Sequence, residues 1–206
     1  MKSELDNVRW TAFLSRNALS DNGTFDRLAA LHAERHRHYH TATHINAMLG
    51  HLDARADMAE RADLIELAIW FHDAVYKPMS KTNEADSADM AREFLHGQME
   101  PEAVDWIDET IRLTANHGDT DDSDTALMLD IDLSILATAP DVYTDYTQRI
   151  RREYRWVPGL LYRKGRADVL RHFLSMPRIY KTDALAAEWE APARANLAAE
   201  LQTLAK

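Results

Sequence analysis

The 206-residue sequence contains no cysteine, which excludes disulfides, thiolate zinc sites, iron–sulfur clusters and cysteine nucleophiles. It also lacks long apolar runs, since no segment approaches the ~18 residues of a membrane span and the first residues show no signal-like apolar stretch. Gly-x-Ser-x-Gly, P-loop and Gly-x-Gly-x-x-Gly motifs are absent as well. These absences predict a cytoplasmic protein with no membrane partner, and they exclude the motif-bearing serine hydrolases and nucleotide-loop proteins.

Positive charge is scarce except in one stretch. The formal net charge is −10, and stable nucleic-acid binding is therefore not expected. Between Arg149 and Lys181, however, ten lysines and arginines face only two acidic residues, a local balance of +8. This stretch predicts either a local anion site or a basic helix face that packs against acidic helices.

Glycine is also rare, with six residues, and apolar residues recur at helical rather than alternating spacing. The sequence predicts an all-α protein, a single-domain helical bundle that spans residues 1–206. Ser3 and Asn83 are candidate helix caps. The predicted helices cover about 3–20, 24–31, 41–52, 61–75, 84–95, 101–113, 125–137, 139–154, 165–175 and 182–204.

Polar residues interrupt three of these apolar helices. His72 and Asp73 stand side by side after an apolar run, and a buried charge there needs a partner or a metal. His40 and His44 lie four residues apart and thus on one helix face. Asp130 and Asp132 interrupt a further apolar run. Imidazoles and carboxylates brought together from separate helices predict a metal site.

Alternatives remain at several of these positions. A single histidine in a core is commonly just hydrogen-bonded, and His32, His36 and His38 are expected to lie in a solvated basic turn. Asp130 and Asp132 point about 200° apart on a helix, so only one of them faces a metal easily.

The ordered set resembles the H…HD…D signature of the HD-domain superfamily of metal-dependent phosphohydrolases. Its flanks are similar to a bacterial branch of predicted HD phosphohydrolases. The matching segments are Tyr39-His-Thr-Ala-Thr-His44-Ile, Phe71-His-Asp-Ala-Val-Tyr76, Asn83-Glu-Ala-Asp-Ser87, Leu129-Asp-Ile-Asp-Leu-Ser-Ile-Leu136, Tyr162-Arg-Lys-Gly-Arg166 and Arg178-Ile-Tyr180. The resemblance implies an HD-type fold with a metal-site core at about 24–140 and a basic helical segment at about 141–206.

The resemblance also implies a ligand set. His44 matches the first histidine better than His40, and Asp132 matches the last aspartate better than Asp130, which becomes a supporting or capping residue. The implied metal ligands are His44, His72, Asp73 and Asp132. Such a nitrogen–oxygen set suits a six-coordinate Mn²⁺, Fe²⁺, Co²⁺, Ni²⁺ or Mg²⁺ ion.

The expected function is metal-dependent hydrolysis of a phosphate ester or anhydride in a small phosphorylated molecule such as a nucleotide. Asp73 and Glu84 are the predicted catalytic residues, although Glu84 also fits a helix N-terminus. Predicted substrate contacts are His40, Lys77, His117, Arg163, Lys164 and Arg166. Two alternatives stay open: a di-iron HD-type oxygenase that draws extra ligands from His40, His117 and Glu84, and a non-catalytic metal- or nucleotide-binding module.

Overall fold

The structure is a computed structural model that describes residues 4–204, and within that range it is helical and contains no strand. The all-α prediction is therefore confirmed. The helices are α1 (Asn7–Arg16), α2 (Thr24–His32), α3 (Ala42–Asp53), α4 (Ala62–Phe71), α5 (Asn83–Leu95), α6 (Pro101–Leu113), α7 (Ser123–Asp132), α8 (Pro140–Glu153), α9 (Gly159–Ser175) and α10 (Asp183–Leu204). Short 3₁₀ helices cover Ala56–Met58 and Leu133–Ala137.

The chain forms two compact units that divide between Met128 and Leu129, inside α7. In the first unit α4 is the central helix: every residue from Ile65 to Phe71 is buried, and α3, α5 and α6 pack around it. Trp10 of α1 meets Trp70 edge to face at 5.2 Å, and Phe71 stacks on Phe94 at 5.5 Å. Aromatic packing of this kind fixes the orientation of α4 and of the residues that follow it.

One buried carboxylate in α4 is compensated by two arginines of α1. Glu66 accepts hydrogen bonds from Arg9 at 2.8 and 3.1 Å and from Arg16 at 2.7 Å. A buried charge is tolerated when it is paired in this way. The ion pairs join the first helix to the central one.

In the second unit α10 packs on α9 and on the 3₁₀ segment that follows α7. Asn196 donates its amide to the carbonyls of Leu136 and Thr138 at 2.9 and 2.8 Å. Tyr180 donates its hydroxyl to the carbonyl of Leu133 at 2.9 Å. The bonds from Asn196 satisfy carbonyl groups at the end of the short helix, where no further turn follows, and the bond from Tyr180 holds its first residue.

Several helix limits differ from prediction. The first helix begins at Asn7 with Asp6 as its cap, and Ser3 lies outside the described residues. The fourth ends at Phe71 rather than Val75: the nitrogen of Ala74 donates to the carbonyl of Phe71 at 2.8 Å, and the nitrogen of Val75 donates to the Ser87 hydroxyl at 3.0 Å instead of continuing the helix. The ninth begins at Gly159, six residues before the predicted start, since Pro158 is compatible with a position just before a helix.

Candidate metal centre

His72 and Asp73 lie at the carboxyl end of the central helix. His72 is the residue after the last turn of α4 and is 2% exposed, and the Asp73 side chain is 17% exposed. Unpaired carbonyl groups at a helix end carry partial negative charge, which favours a cation nearby. The local structure therefore presents an imidazole and a carboxylate where a positive charge is stabilised.

The imidazole of His44, on α3, approaches this pair. Its Nε2 lies 3.3 Å from Nε2 of His72 and 3.8 Å from a carboxylate oxygen of Asp73. The same Asp73 oxygen lies 3.3 Å from Nε2 of His72. These three side chains belong to the first compact unit and converge on one space. Asp132, half-buried at the end of α7, belongs to the second unit, and its role as a ligand stays a prediction.

Hydrogen bonds on the far side of each ring set its orientation. Nδ1 of His72 lies 3.0 Å from the carbonyl of Ile69. A carbonyl has no proton to donate, so Nδ1 carries a proton, and Nε2 is the nitrogen that offers a lone pair whenever the ring is neutral. Nδ1 of His44 lies 3.2 Å from the hydroxyl of Tyr39. Both rings consequently direct Nε2 to the shared space, as metal-ligating histidines do.

Electrostatics keep the Asp73 carboxylate ionised. Burial acts to raise the pKa of this carboxyl group, but the imidazoles of His72, His40 and His44 outweigh burial and hold the pKa well below its ordinary value. Nearby positive charge favours the charged form of an acid in this way. An ionised carboxylate is the form that binds a metal.

The donor set fits a divalent cation. Two nitrogens bound side by side at ~2.1 Å to one ion stand roughly 3.0 Å apart, close to the 3.3 Å between the two Nε2 atoms. A lone pair and an anionic oxygen that face each other repel unless a positive charge lies between them. Imidazole and carboxylate ligands without thiolate suit Mn²⁺, Fe²⁺, Co²⁺ or Ni²⁺.

Arg37 supports the centre and was missed by sequence reasoning. Its side chain is fully buried, and it donates to the backbone carbonyls of Asp73 at 2.6 Å and Ala74 at 2.7 Å. It also donates to Glu34 at 3.0 Å and to the carbonyl of His40 at 3.3 Å. The burial of Arg37 could not be predicted from the sequence, because most of the groups that accept its hydrogen bonds are backbone carbonyls, which any residue carries.

The expectation of a solvated turn is wrong for His32. This residue is 2% exposed, and neither ring nitrogen has a hydrogen-bond partner among the described residues. Burial lowers the pKa of His32 to about 3, and the positive charge of Arg37 adds to the effect. His32 is therefore a neutral, buried imidazole near the centre. His36 differs, since its Nε2 lies 2.8 Å from the carbonyl of Tyr76 and its side chain is 37% exposed.

His40 lies beside the ligands in an aromatic wall. Its ring stacks on Tyr76 at 4.2 Å and meets Tyr39 edge to face at 5.0 Å. Its charge contributes to the low pKa of Asp73. This position suits the predicted substrate contact, which stays a prediction.

The segment after Asp73 is anchored to the start of α5. Asn83 accepts from the backbone nitrogen of Lys77 and donates to its carbonyl, both at 3.0 Å, while Thr82 occupies the cap position predicted for Asn83. Ser87 accepts from the nitrogen of Val75 at 3.0 Å. Glu84 lies half-buried in the first turn of α5 and Lys77 is exposed. Their catalytic and substrate-binding roles stay predictions.

His117 follows the last turn of α6 in a left-handed backbone conformation, with φ +50°, and is half-buried. Its backbone nitrogen donates to Leu113 at 2.9 Å. This geometry ends a helix. The predicted role of His117 as a substrate contact stays a prediction.

Three basic residues of the second unit that are predicted to contact substrate, Arg163, Lys164 and Arg166, have different surroundings. Arg166 is 10% exposed and forms a two-pronged ion pair with Glu200 at 2.8 and 2.9 Å. Tyr143 donates to the same carboxylate at 2.5 Å. Arg166 is therefore occupied by a structural partner within the second unit. Arg163 and Lys164, in contrast, are exposed.

Asp130 and Asp132 have separate surroundings. Asp130 is fully buried and accepts hydrogen bonds from the backbone nitrogens of Lys181 and Thr182 at 2.7 and 2.8 Å and from the Thr182 hydroxyl at 2.7 Å. It thus holds the residues that precede α10. Asp132, in contrast, is half-buried at the last position of α7.

Comparisons with protein-family models, curated proteins and solved structures found no match for this chain. Among residues 4–204, none of the helices combines the length and apolar character needed to cross a membrane. The chemistry of the centre consequently rests on its own geometry.

Proposed function

We propose that the protein is a cytoplasmic, metal-dependent phosphohydrolase of the HD type, acting on phosphate ester or anhydride bonds in a small molecule such as a nucleotide. The observation that carries this proposal is the convergence of the His44 and His72 imidazoles with the Asp73 carboxylate within the first unit. Phosphoryl transfer is aided mainly by electrostatic stabilisation and positioning, and this donor set suits both tasks.

A divalent ion held by His44, His72, Asp73 and Asp132 would supply Lewis acidity and lower the pKa of water. The protein's own residues would orient the ligands, contact the substrate and position the attacking water. Tyr39 and the Ile69 carbonyl hold the rings in place, and Arg37 fixes the backbone of Asp73. His40, on the aromatic wall, is placed to contact substrate. Glu84 is proposed to orient the attacking water.

The accessibility of the centre favours catalysis over a structural role. The Asp73 side chain is 17% exposed and Asp132 is half-buried, so neither carboxylate is shut off from solvent. A structural site is normally closed by protein ligands. The di-iron alternative needs a second set of ligands, for which His40, Glu84 and His117 are the candidates in the sequence.

Metal analysis joined to a phosphatase assay tests the proposal. Purified protein is stripped with chelator, reloaded with Mn²⁺, Co²⁺, Ni²⁺, Fe²⁺ or Mg²⁺, and assayed on nucleotides and generic phosphate esters. We expect about one equivalent of metal and metal-dependent phosphate release. His72→Ala should lose both, whereas His172→Ala, a change at an exposed histidine of α9, should keep both. Metal binding without turnover of any phosphate substrate would favour the binding module, and two irons per chain would favour the oxygenase.

A further inference from the structure

Large apolar side chains are exposed in one short stretch of the second unit. Trp156, Leu160 and Leu161 are 61%, 72% and 61% exposed, and Val169 is 44% exposed. The other exposed large apolar residues, Val8, Met79 and Val142, are scattered along the chain. Single exposed apolar residues are ordinary, but a group in one place indicates an interaction surface.

The stretch is held in place rather than loosely attached. Arg151 donates to the carbonyls of Tyr154 and Val157 at 2.5 and 3.2 Å, and its guanidinium lies 4.6 Å from the ring centre of Tyr162. Val157, within the turn, is buried. The fold thus presents Trp156 and the two leucines outward on a fixed turn between α8 and α9.

Positive charges surround these apolar groups. Arg152, Arg155, Arg163 and Lys164 are exposed, and none of them has an ion-pair partner among the described residues. Other arginines of the basic stretch are paired: Arg149 with Asp145, Arg166 with Glu200 and Arg171 with Asp168. The uncompensated charge is therefore concentrated beside the exposed apolar side chains.

Helix geometry places the two kinds of side chain on one face. Leu160 and Lys164 are four residues apart on α9, and Leu161 and Lys164 are three apart. Residues at these spacings are neighbours on a helix surface. Arg163 reaches back over the first residue of the helix, since its Nη1 would lie 3.8 Å from a Cβ at Gly159.

We propose that this basic turn surface, formed by Arg152, Arg155, Trp156, Leu160, Leu161, Arg163 and Lys164, binds the headgroup region of an anionic lipid bilayer. Trp and Leu insert at the interface between headgroups and acyl chains, and the cations meet lipid phosphates. Such binding needs no spanning helix. It also gives the exposed Arg163 and Lys164 a broad anionic partner in place of a single small phosphate.

Two other partners fit these residues less well. Binding to single-stranded nucleic acid relies on several stacking aromatic rings, whereas this surface offers one tryptophan and two aliphatic side chains. A symmetric contact with a second copy presents the same patch on both sides, which brings uncompensated positive charges together. A bilayer rich in anionic lipid satisfies the charges and the apolar groups at once.

Vesicle sedimentation of the full chain tests the proposal. We expect the protein to sediment with phosphatidylcholine vesicles that contain 30% phosphatidylglycerol, and not with phosphatidylcholine alone. Added salt should weaken the binding because it screens the cations. Trp156 is the exposed member of five tryptophans, so its emission should shift to shorter wavelength on binding and be quenched by brominated lipids.

Matched variants separate the surface from general effects. Arg155→Gln with Lys164→Gln should reduce the partition coefficient roughly 20- to 30-fold, since each cation near an anionic surface contributes about fivefold. Leu160→Ser with Leu161→Ser should reduce it as well. Arg149→Gln with Arg171→Gln removes two ion-paired charges and should change it far less, and Val8→Ser should leave it unchanged.

Three results would overturn the proposal. One is equal binding to neutral and anionic vesicles, or to neither. Another is a change of mass in light scattering when Leu160 and Leu161 are replaced, which would assign the surface to contact between copies. The third is binding of a single-stranded oligonucleotide that quenches Trp156 in the absence of vesicle binding.

Discussion

Replacement of Asp130 and replacement of Asp132, two residues apart on α7, are expected to have different effects on stability and metal binding. Asp130→Ala leaves the nitrogens of Lys181 and Thr182 without their acceptor, so we expect a loss of about 3 kcal/mol in the free energy of unfolding. Asp132→Ala removes a proposed metal ligand that is half-buried, so we expect weak metal binding with little loss of stability. Denaturant unfolding and Mn²⁺ titration of both variants measure the contrast. Equal metal affinities in the two would remove Asp132 from the ligand set.

His32 should make the protein acid-sensitive. Its pKa is lowered by burial to about 3 in the folded state, against an ordinary value near 6.5. Between these values only the unfolded chain takes up the proton, so stability falls as pH falls, by about 1.4 kcal/mol per pH unit from this group.

His32→Leu tests this prediction by urea unfolding at pH 7.5 and pH 5. The wild type should lose about 2 kcal/mol more stability than the variant between the two pH values. His172→Leu, a change at an exposed position, should behave as the wild type does. If His32→Leu loses as much unfolding free energy between pH 7.5 and pH 5 as the wild type, the imidazole of His32 has an ordinary pKa in the folded protein.

At the scale of elements, Arg37 joins the end of the central helix to the segment between α2 and α3. Arg37→Met removes the donors to the carbonyls of Asp73 and Ala74 while keeping much of the side-chain volume. We expect metal affinity to fall roughly 10- to 100-fold, as when other supporting partners of metal ligands are removed. Calorimetric Mn²⁺ titration measures it. Arg35→Met, at an exposed neighbouring position, is the control; equal affinity in both variants would give Arg37 a role in folding alone.

Helix limits were predictable where local signals decide them. Pro101 starts α6 and Thr24 starts α2, as their positions in the sequence indicate. The end of α4 was not predictable, because the nitrogen of Val75 donates to Ser87, a residue of the next helix, instead of continuing α4. The start of α9 was missed because Leu160 and Leu161 begin a helix without being buried.

The candidate site likewise contains features that were predictable from the sequence and features that were not. The adjacency of His72 and Asp73 on an apolar helix was visible in the sequence because a buried charge there demands compensation. The burial of His32 and Arg37 was not visible, since a run of charged and imidazole side chains resembles a solvated turn. The ion pair of Arg166 was not visible either, because its partner, Glu200, is distant in sequence and lies on another helix.

For the whole molecule, metal binding should appear as stability. A ligand that binds only the folded chain adds about 2.7 kcal/mol to the free energy of unfolding at 100 times its dissociation constant. For a chain of this size each kcal/mol raises the melting temperature by roughly 2–4 °C, so saturating Mn²⁺ should raise it by roughly 5–10 °C. Scanning calorimetry with and without chelator measures the shift. His172→Ala should retain it and His72→Ala should lose it, because the imidazole of His72 directs its Nε2 to the centre. An equal rise in the His72→Ala protein would place the bound metal elsewhere on the chain.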